Sequence, residues 1–253
     1  MRSLLLIWLL AWAAWPAFPQ AITSDVYAGQ RAPLLNQTAV EEPTLLEGST
    51  RDFSHLALQA ITLPANQPAQ PSQQLDEEAL LIIKAGELTL TLAGKRTILG
   101  PGCLVLIMPG DDYRVENKAA QPLFYYQMRY TSNQMPDLDL YRLAGGSFWV
   151  DWQKVPASAD PQGGTRQLMA CGSVMSSRVE MELTRLDAGL STPAPHSHRA
   201  AELLIPLDHP VEAHIEGSLK GARVGDVIFV ESEASHSFHN RSQEASTYLA
   251  IRL

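Results

Sequence analysis

Short apolar runs separated by turn residues dominate the hydrophobic pattern of the chain. Residues 53–63, 79–83 and 104–108 are rich in apolar side chains, residues 87–92 alternate between polar and apolar, and residues 123–130 are rich in aromatics. Gly, Pro and Asn residues separate these runs. This pattern is typical of short β-strands, and no segment shows a long helical period. It predicts an all-β fold of the sandwich or barrel type.

The β pattern restarts after Gly164 as an internal repeat. The run 57–63 is echoed by 180–186, and Gly102, Pro109, Tyr113 and Asn117 match Gly225, Ser232, His236 and Asn240 at identical spacing. A Pro- and Gly-rich stretch with Trp149 and Trp152 separates the copies, and we expect its tryptophans to pack against a barrel or a dimer partner. The predicted organisation is a signal peptide (1–21), an N-terminal arm (22–47), a first β-domain (48–130), a linker (131–163) and a second β-domain (164–253).

The first 21 residues indicate export. Arg2 precedes an apolar run over residues 4–14, and small residues follow it, with cleavage after Ala13, Ala17 or Ala21 all compatible with the sequence. The run is short for a membrane span, so we expect a periplasmic or secreted protein without stable membrane insertion after cleavage. An uncleaved N-terminal anchor is the alternative interpretation.

Charge and cysteine content narrow the classes of function. The net charge is −8 and no Lys/Arg run occurs, which argues against nucleic acid or an anionic membrane as the partner. The two cysteines, Cys103 and Cys171, lie in β-like runs of different halves. They are interpreted as two buried thiols, although an exported protein could also pair them.

The candidate chemistry lies in the second repeat. His196, His198 and Glu202 have the same parity, so on an extended strand their side chains leave one face. His236 follows a turn-like segment, residues 231–234, and could supply a fourth ligand from a neighbouring strand. Three imidazoles and one carboxylate suit a divalent first-row metal and leave two octahedral positions open. His239 has the opposite parity to His236 and should face away.

The spacing His-x-His-x-x-x-Glu, followed by Gly225 and by His236-x-x-x-Asn240, resembles the paired signature of the cupin superfamily. The resemblance implies two tandem cupin barrels, also called double-stranded β-helix or jelly-roll barrels. It also implies His196, His198, Glu202 and His236 as metal ligands. One departure is that the turn after the first motif, which usually contains Gly, here reads Asp208-His209-Pro210. We treat His209 and His214 as turn or surface residues.

The first repeat lacks the complete ligand set. Aligning Glu78 with Glu202 places Ser72 opposite His196 and Gln74 opposite His198, while Tyr113 stands opposite His236. Hydroxyl and amide oxygens are weak ligands for transition metals, so we expect this barrel to hold no metal. The arrangement resembles exported two-cupin proteins and, more distantly, ureidoglycine aminohydrolases, which join an empty first cupin to a metal-bearing second one.

Three functions remain open at this point. The first is a metal-dependent small-molecule enzyme, whether dioxygenase, hydrolase or isomerase, with Mn or Fe favoured by ligand hardness and Zn, Ni and Cu also compatible. The second is a non-catalytic module that binds a small ligand or sugar through the metal. The third is a structural metal, which the open coordination positions disfavour. Second-sphere candidates are Arg199, Arg185 and Glu182, and we expect a homodimer.

Overall fold

The computed structural model describes residues 20–29, 39–69 and 71–253. Most of the predicted signal peptide, residues 1–19, lies outside them. Among the described residues, no helix is long and apolar enough to cross a membrane.

Strands account for nearly all of the regular structure, which confirms the all-β prediction. The first half contains β1 (Asp25–Tyr27), β2 (Thr44–Gly48), β3 (Phe53–Leu63), β4 (Glu78–Ala85), β5 (Leu88–Leu92), β6 (Lys95–Leu99), β7 (Cys103–Ile107), β8 (Tyr113–Glu116) and β9 (Leu123–Ser132). The connection contains helix α1 (Leu138–Ala144), β10 (Phe148–Asp151) and a 3-10 turn (Trp152–Lys154). The second half contains β11 (Gly163–Cys171), β12 (Val179–Leu186), β13 (Glu202–Pro206), β14 (Val211–Ile215), β15 (Ser218–Ala222), β16 (Val227–Val230), β17 (His236–His239) and β18 (Ser246–Arg252).

The strands form two barrels of the same construction, as expected for tandem cupin barrels. Each barrel has one six-stranded sheet and one three-stranded sheet. In the first barrel the strand orders are β10-β7-β4-β9-β3-β2 and β6-β5-β8. In the second they are β1-β16-β13-β18-β12-β11 and β15-β14-β17.

The two barrels exchange outer strands: each receives one strand from the segment of chain that immediately precedes the other barrel. Strand β1, which comes before the first barrel, pairs with β16 of the second. Strand β10, which comes before the second barrel, pairs with β7 of the first. The segments expected as an arm (22–47) and a linker (131–163) therefore each supply an outer strand to the barrel that lies further away in sequence.

Alternate side chains of the long strands enter different cores, because successive residues of a strand point to opposite faces of the sheet. In β3, Leu56 and Leu58 join a core shared by the two barrels, whereas Ile61 and Leu63 join the interior of the first barrel. The second barrel contributes Leu203 and other residues to the shared core and has an interior core of its own. Each fully buried leucine in these cores stabilises the fold by about 1.5–3 kcal/mol.

Equivalent strands of the two barrels lie a constant 123 positions apart, as β5 (Leu88–Leu92) and β14 (Val211–Ile215) do. Asn117 and Asn240, one separation apart, show the equivalence most clearly. Each donates from its side-chain amide to three main-chain carbonyls: those of Leu63, Pro64 and Gln121 in the first barrel and those of Leu186, Asp187 and Glu244 in the second. The two asparagines therefore fix the same loop in both copies, and any residue of one barrel can be located in the other.

Candidate metal centre

Three histidines of the second barrel converge on one point. His196 and His236 form an isolated bridge with two main-chain hydrogen bonds, His196 N to His236 O at 3.0 Å and His236 N to His196 O at 2.8 Å. The ring centroid of His236 lies 4.6 Å from that of His196 and 4.9 Å from that of His198. One ring nitrogen of each of the three residues lies within 4.8 Å of the other two. The cluster can accommodate a metal ion.

The route by which the chain brings these residues together differs from the expected common strand. Strand β13 begins only at Glu202, and the chain bends at Arg199 and Ala200. On a continuous strand, six residue steps would separate His196 from Glu202 by about 20 Å, too far for one ion. The prediction of a shared strand face is therefore wrong, although the bend brings together the residues that it named.

Glu202 lies at the base of the cluster and is 2% exposed. Its Oε2 is 3.0 Å from Nε2 of His236 and 3.4 Å from Nε2 of His198. The other nitrogen of each ring lies near a main-chain carbonyl, with His198 Nδ1 2.8 Å from Ala200 O and His236 Nδ1 2.9 Å from Ala234 O. When a metal is bound, donation of Nδ1–H to these carbonyls would leave the lone pair of each Nε2 available to the ion.

Three buried atoms at this centre lack a hydrogen-bond partner. They are Nε2 of His198, Nε2 of His236 and Oε2 of Glu202. They lie close together, with 3.0 Å and 3.4 Å from the carboxylate oxygen to the two ring nitrogens, but no hydrogen bond joins them. Leaving a buried polar atom unpartnered costs about 1–3 kcal/mol. A divalent cation at this centre would satisfy all three, so the residues present fit a metal site.

The charge of Arg252 supports the ionised form of Glu202. Arg252 Nε donates to Oε1 of Glu202 over 2.9 Å, and its terminal nitrogens lie 3.6 Å from Glu180 and 3.9 Å from Glu182. Burial alone would raise the pKa of Glu202, but the contacts with His198 and His236 and the charge of Arg252 outweigh it and bring the pKa to about 2. The carboxylate is therefore ionised at neutral pH, as a metal ligand must be.

The histidines differ in protonation and access. Burial and the nearby charge of His236 lower the pKa of His196, whereas the contact with Glu202 raises the pKa of His198. His236 is buried, His198 is half-buried and His196 is exposed. The site therefore opens to solvent on the His196 side, where a small molecule can approach.

The remaining sequence candidates lie away from the cluster. His239 is on the opposite face of β17, where its Nδ1 is 2.6 Å from the Ser191 hydroxyl. Arg199 forms a two-pronged ion pair with Asp52 of the first barrel. Arg185 is 3.0 Å from Asp187 at the surface. Of the second-sphere candidates only Glu182 is linked to the cluster, because it lies 3.9 Å from Arg252, which in turn contacts Glu202. Burial raises the pKa of Glu182.

Sequence reasoning missed Arg252. The repeat contained the signal, because Arg252 and Arg129 are one 123-residue separation apart, and both barrels therefore have an arginine at this position of the last strand.

The counterparts of the metal residues in the first barrel need a correction. The bridge between Gln73 and Tyr113 is the equivalent of that between His196 and His236. The Gly110 N to Leu75 O bond likewise corresponds to the Glu233 N to His198 O bond. In the ladders, Ala79 pairs with Ile107 and Arg129 as Glu202 pairs with Val230 and Arg252. The four positions therefore read Gln73, Leu75, Ala79 and Tyr113.

The expected alignment of Glu78 with Glu202, and with it Ser72 and Gln74, was wrong by one residue. Because a one-residue slip turns a side chain to the other face of a sheet, Glu78 points away from the barrel interior and into the shared core. There it is fully buried, accepts a hydrogen bond from the Tyr130 hydroxyl, and accepts a second from Met175 N at 3.1 Å. None of the four equivalent positions in the first barrel has a His or a Glu.

A comparison with known families finds one match. Residues 60–127, within the first barrel, match the family model described as a cupin domain. No curated protein sequence matches the chain.

Solved structures share the architecture over nearly the whole chain. AerE from Microcystis aeruginosa is 16% identical with a TM-score of 0.67, covering 90% of this chain and 98% of its own. A putative glyoxylate-induced protein from Pseudomonas aeruginosa is 18% identical with a TM-score of 0.68, covering 95% and 92%. A mutant of Bacillus subtilis oxalate decarboxylase is 13% identical with a TM-score of 0.65, covering 94% and 79%. At these identities the likeness establishes the fold, and the activity must be argued from the site.

Proposed function

We propose that the second barrel binds one divalent transition metal through His196, His198, Glu202 and His236 and that the protein is a metal-dependent enzyme acting on a small molecule. One observation carries this proposal: two imidazole nitrogens and a carboxylate oxygen are buried and have no hydrogen-bond partner, and the oxygen lies within 3.4 Å of both nitrogens. A set of three histidines and one carboxylate favours Mn or Fe, and Zn, Ni and Cu are also compatible.

The surroundings support catalysis rather than a closed structural site. Four protein ligands leave two positions of an octahedral ion open, and structural sites are usually closed. A metal ion bound there would polarise a carbonyl or carboxylate group or activate water or oxygen. The exposure of His196 gives a small substrate an approach to the site. Because one structural neighbour is an oxalate decarboxylase, small organic acids are the first substrates to screen.

A non-catalytic binding module is the second candidate. It is favoured by the pairing of Arg252 with Glu202, Glu180 and Glu182, which occupies the charged groups nearest the ligands with one another. Such a module would hold a small acid or sugar on the metal without turning it over.

Metal analysis of matched histidine variants tests the site. The full chain should contain one metal ion per molecule. His236→Ala should lose most of it, whereas His239→Ala should retain it, because His239 lies three residues further along β17 and therefore on the opposite face. Equal loss in both variants, or no loss in His236→Ala, would overturn the ligand assignment.

A substrate screen separates the two functions. Purified metal-loaded protein is incubated with small organic acids, and oxygen uptake and product formation are followed. We expect turnover that disappears in His236→Ala. Tight binding of an acid to the metal-loaded protein without turnover would favour the binding module instead.

Export and self-association are also part of the proposal. The first 21 residues support a periplasmic or secreted location, which fractionation of the producing cells would test. Trp149, which is 45% exposed on β10, supports a homodimer through this face. Light scattering on dilute protein would test it, and a stable monomer would count against the dimer.

A further inference from the structure

The interior of the first barrel contains a cavity where the second barrel has its metal residues. Its volume is about 500 Å³, within the range of small-ligand sites. Gln73, Leu75 and Tyr113, the counterparts of the three histidines, line it. The first barrel therefore has a cavity, not a filled core, beside three of the four positions that hold the metal residues in the second barrel.

Arg129 reaches this cavity, and it has lost the acidic partners of its counterpart. Arg252 is paired with Glu202, Glu180 and Glu182. At the positions 123 residues earlier, the first barrel has Ala79, Ala57 and Gln59, none of them charged. The first barrel thus has an arginine at this position but lacks the three carboxylates that surround its counterpart in the second barrel.

The pairing of Arg129 within the first barrel is incomplete. One terminal nitrogen lies 3.3 Å from Glu77, a carboxylate that also contacts His55 and accepts a hydrogen bond from the Thr131 hydroxyl at 3.2 Å. Nε of Arg129 is buried without a partner, whereas Nε of Arg252 donates to Glu202. An unpartnered buried donor on a guanidinium is costly, and an anion beside it would relieve that cost.

Neutral polar and apolar groups complete the cavity wall. Gln59 and Gln127 are cross-strand neighbours on the cavity side of β3 and β9, and the hydroxyl of Tyr113 donates to the Gln73 side-chain oxygen at 3.0 Å. Ile61 and Leu75 supply apolar surface. The acidic Glu42 also borders the cavity but is exposed, so solvent screens its charge.

We propose that the first barrel binds a small organic acid, with its carboxylate against the guanidinium of Arg129, its hydroxyl or carbonyl oxygens on the glutamine amides and its carbon skeleton on the apolar wall. This site is separate from the proposed metal centre and needs no metal. It places the ligand in the barrel that the sequence predicted to hold no metal.

Binding to the full-length protein tests the proposal by calorimetry. The probes are butanoate, 2-hydroxybutanoate and benzoate, each compared with its uncharged amide. We expect the acids to bind and the amides not to bind. Arg129→Gln should weaken acid binding about thirtyfold or more, the loss expected when one partner of a buried charge pair is removed. Failure of every acid to bind even at about 10 mM would overturn the proposal.

Two further variants distinguish a specific site from general charge effects. Gln59→Glu, an isosteric change, restores to the cavity the acid that the second barrel has at Glu182, and it should also weaken acid binding. Arg114→Gln is the matched control. Nε of Arg114 also lacks a hydrogen-bond partner, with Glu116 at 3.6 Å, but Arg114 lies on β8 between two cavity-lining residues and does not itself line the cavity. Its binding should equal that of the unchanged protein. Equal binding in Arg129→Gln, or equal weakening in all three variants, would contradict the proposal.

These measurements are independent of the proposed metal centre. Metal content should remain the same in Arg129→Gln and Gln59→Glu, since neither residue contacts the histidine cluster. Acid binding should in turn persist in His236→Ala. Loss of acid binding in His236→Ala alone would place the acid on the metal of the second barrel and overturn the first-barrel site.

Discussion

Arg252 donates a hydrogen bond from Nε to Oε1 of Glu202 over 2.9 Å, while the other oxygen of that carboxylate is directed at two histidines. The two oxygens of this carboxylate thus have different partners. The arginine fixes its orientation and ionisation, and the free oxygen is held where a metal ligand is needed. This division of roles explains why a buried carboxylate can have a pKa of about 2.

Glu202→Gln should lower the stability of the metal-free protein in a pH-dependent way. Because the pKa of Glu202 falls from 4.5 to about 2 on folding, its carboxylate stabilises the native state above pH 4.5. That contribution is lost as the pH falls through about 2. We therefore expect the variant to be less stable than the unchanged protein at pH 7 and the difference to shrink on acidification. Urea denaturation at several pH values measures it.

Glu216→Gln is the control for this series, since Glu216 is exposed on the turn between β14 and β15. It should match the unchanged protein across the range. A stability difference for Glu202→Gln that grows on acidification would contradict the assigned ionisation.

Lys84→Met should stabilise the protein at neutral pH. Burial lowers the pKa of Lys84 from 10.5 to about 8, against a smaller opposing effect of Asp208, and its Nζ donates to Leu207 O of the other barrel at 3.4 Å. The cost of burying the charge is complete below pH 8 and disappears as the pH rises towards 10.5. The advantage of the variant should therefore shrink between these two values.

Denaturation at pH 7 and at pH 10 checks this expectation. Lys95→Met, at an exposed position of β6, is the control and should show no advantage at either pH. A Lys84→Met protein that is less stable at pH 7 would show that the amine contributes more through Leu207 than burial costs.

Tyr130→Phe should destabilise the shared core without affecting the metal. The Tyr130 hydroxyl donates to Glu78, whose carboxyl is fully buried and has a pKa raised by that burial. Losing one donor to a buried group costs about 1–3 kcal/mol. Because Glu78 faces away from both barrel interiors, metal content should not change. Thermal unfolding and metal analysis test both parts.

The matched control is Tyr27→Phe, which removes a hydroxyl bonded to Thr23 O at 2.9 Å near the surface. It should cost little, since water replaces the lost bond. Loss of metal in Tyr130→Phe would mean that Glu78 is coupled to the metal centre.

Gly102→Ala should be much more damaging than Gly110→Ala. Both glycines have left-handed backbone, with φ of 92° and 82°, so either substitution costs about 1–2 kcal/mol of backbone strain. A Cβ at Gly102 would in addition lie 2.1 Å from Nε1 of Trp152, whereas a Cβ at Gly110 meets nothing within 4 Å. We expect Gly102→Ala to shift tryptophan fluorescence and to lower the melting temperature further. Equal effects of the two substitutions would contradict the packing of Trp152.

The sequence by itself determined the class of fold, the repeat and the four candidate metal residues. Short apolar runs and period-two alternation predict strands, and the matched spacing from Gly102 to Asn117 and from Gly225 to Asn240 identifies two copies. The chemistry of imidazole and carboxylate side chains points to a metal, and the structure brings those four side chains together. That they bind a metal is still a prediction.

Only the tertiary structure decided which side of a sheet each side chain points to. The bend at Arg199 and Ala200, not strand parity, brings His196 and His198 to Glu202. The ladder register assigns Ala79 rather than Glu78 to the interior of the first barrel, and long-range pairing places Arg252 beside Glu202. The exchange of β1 and β10 between barrels likewise depends on contacts far apart in sequence. Local pattern fixes which residues form strands, but register and bends are set by packing between strands distant along the chain, and a shift of one residue reverses the face.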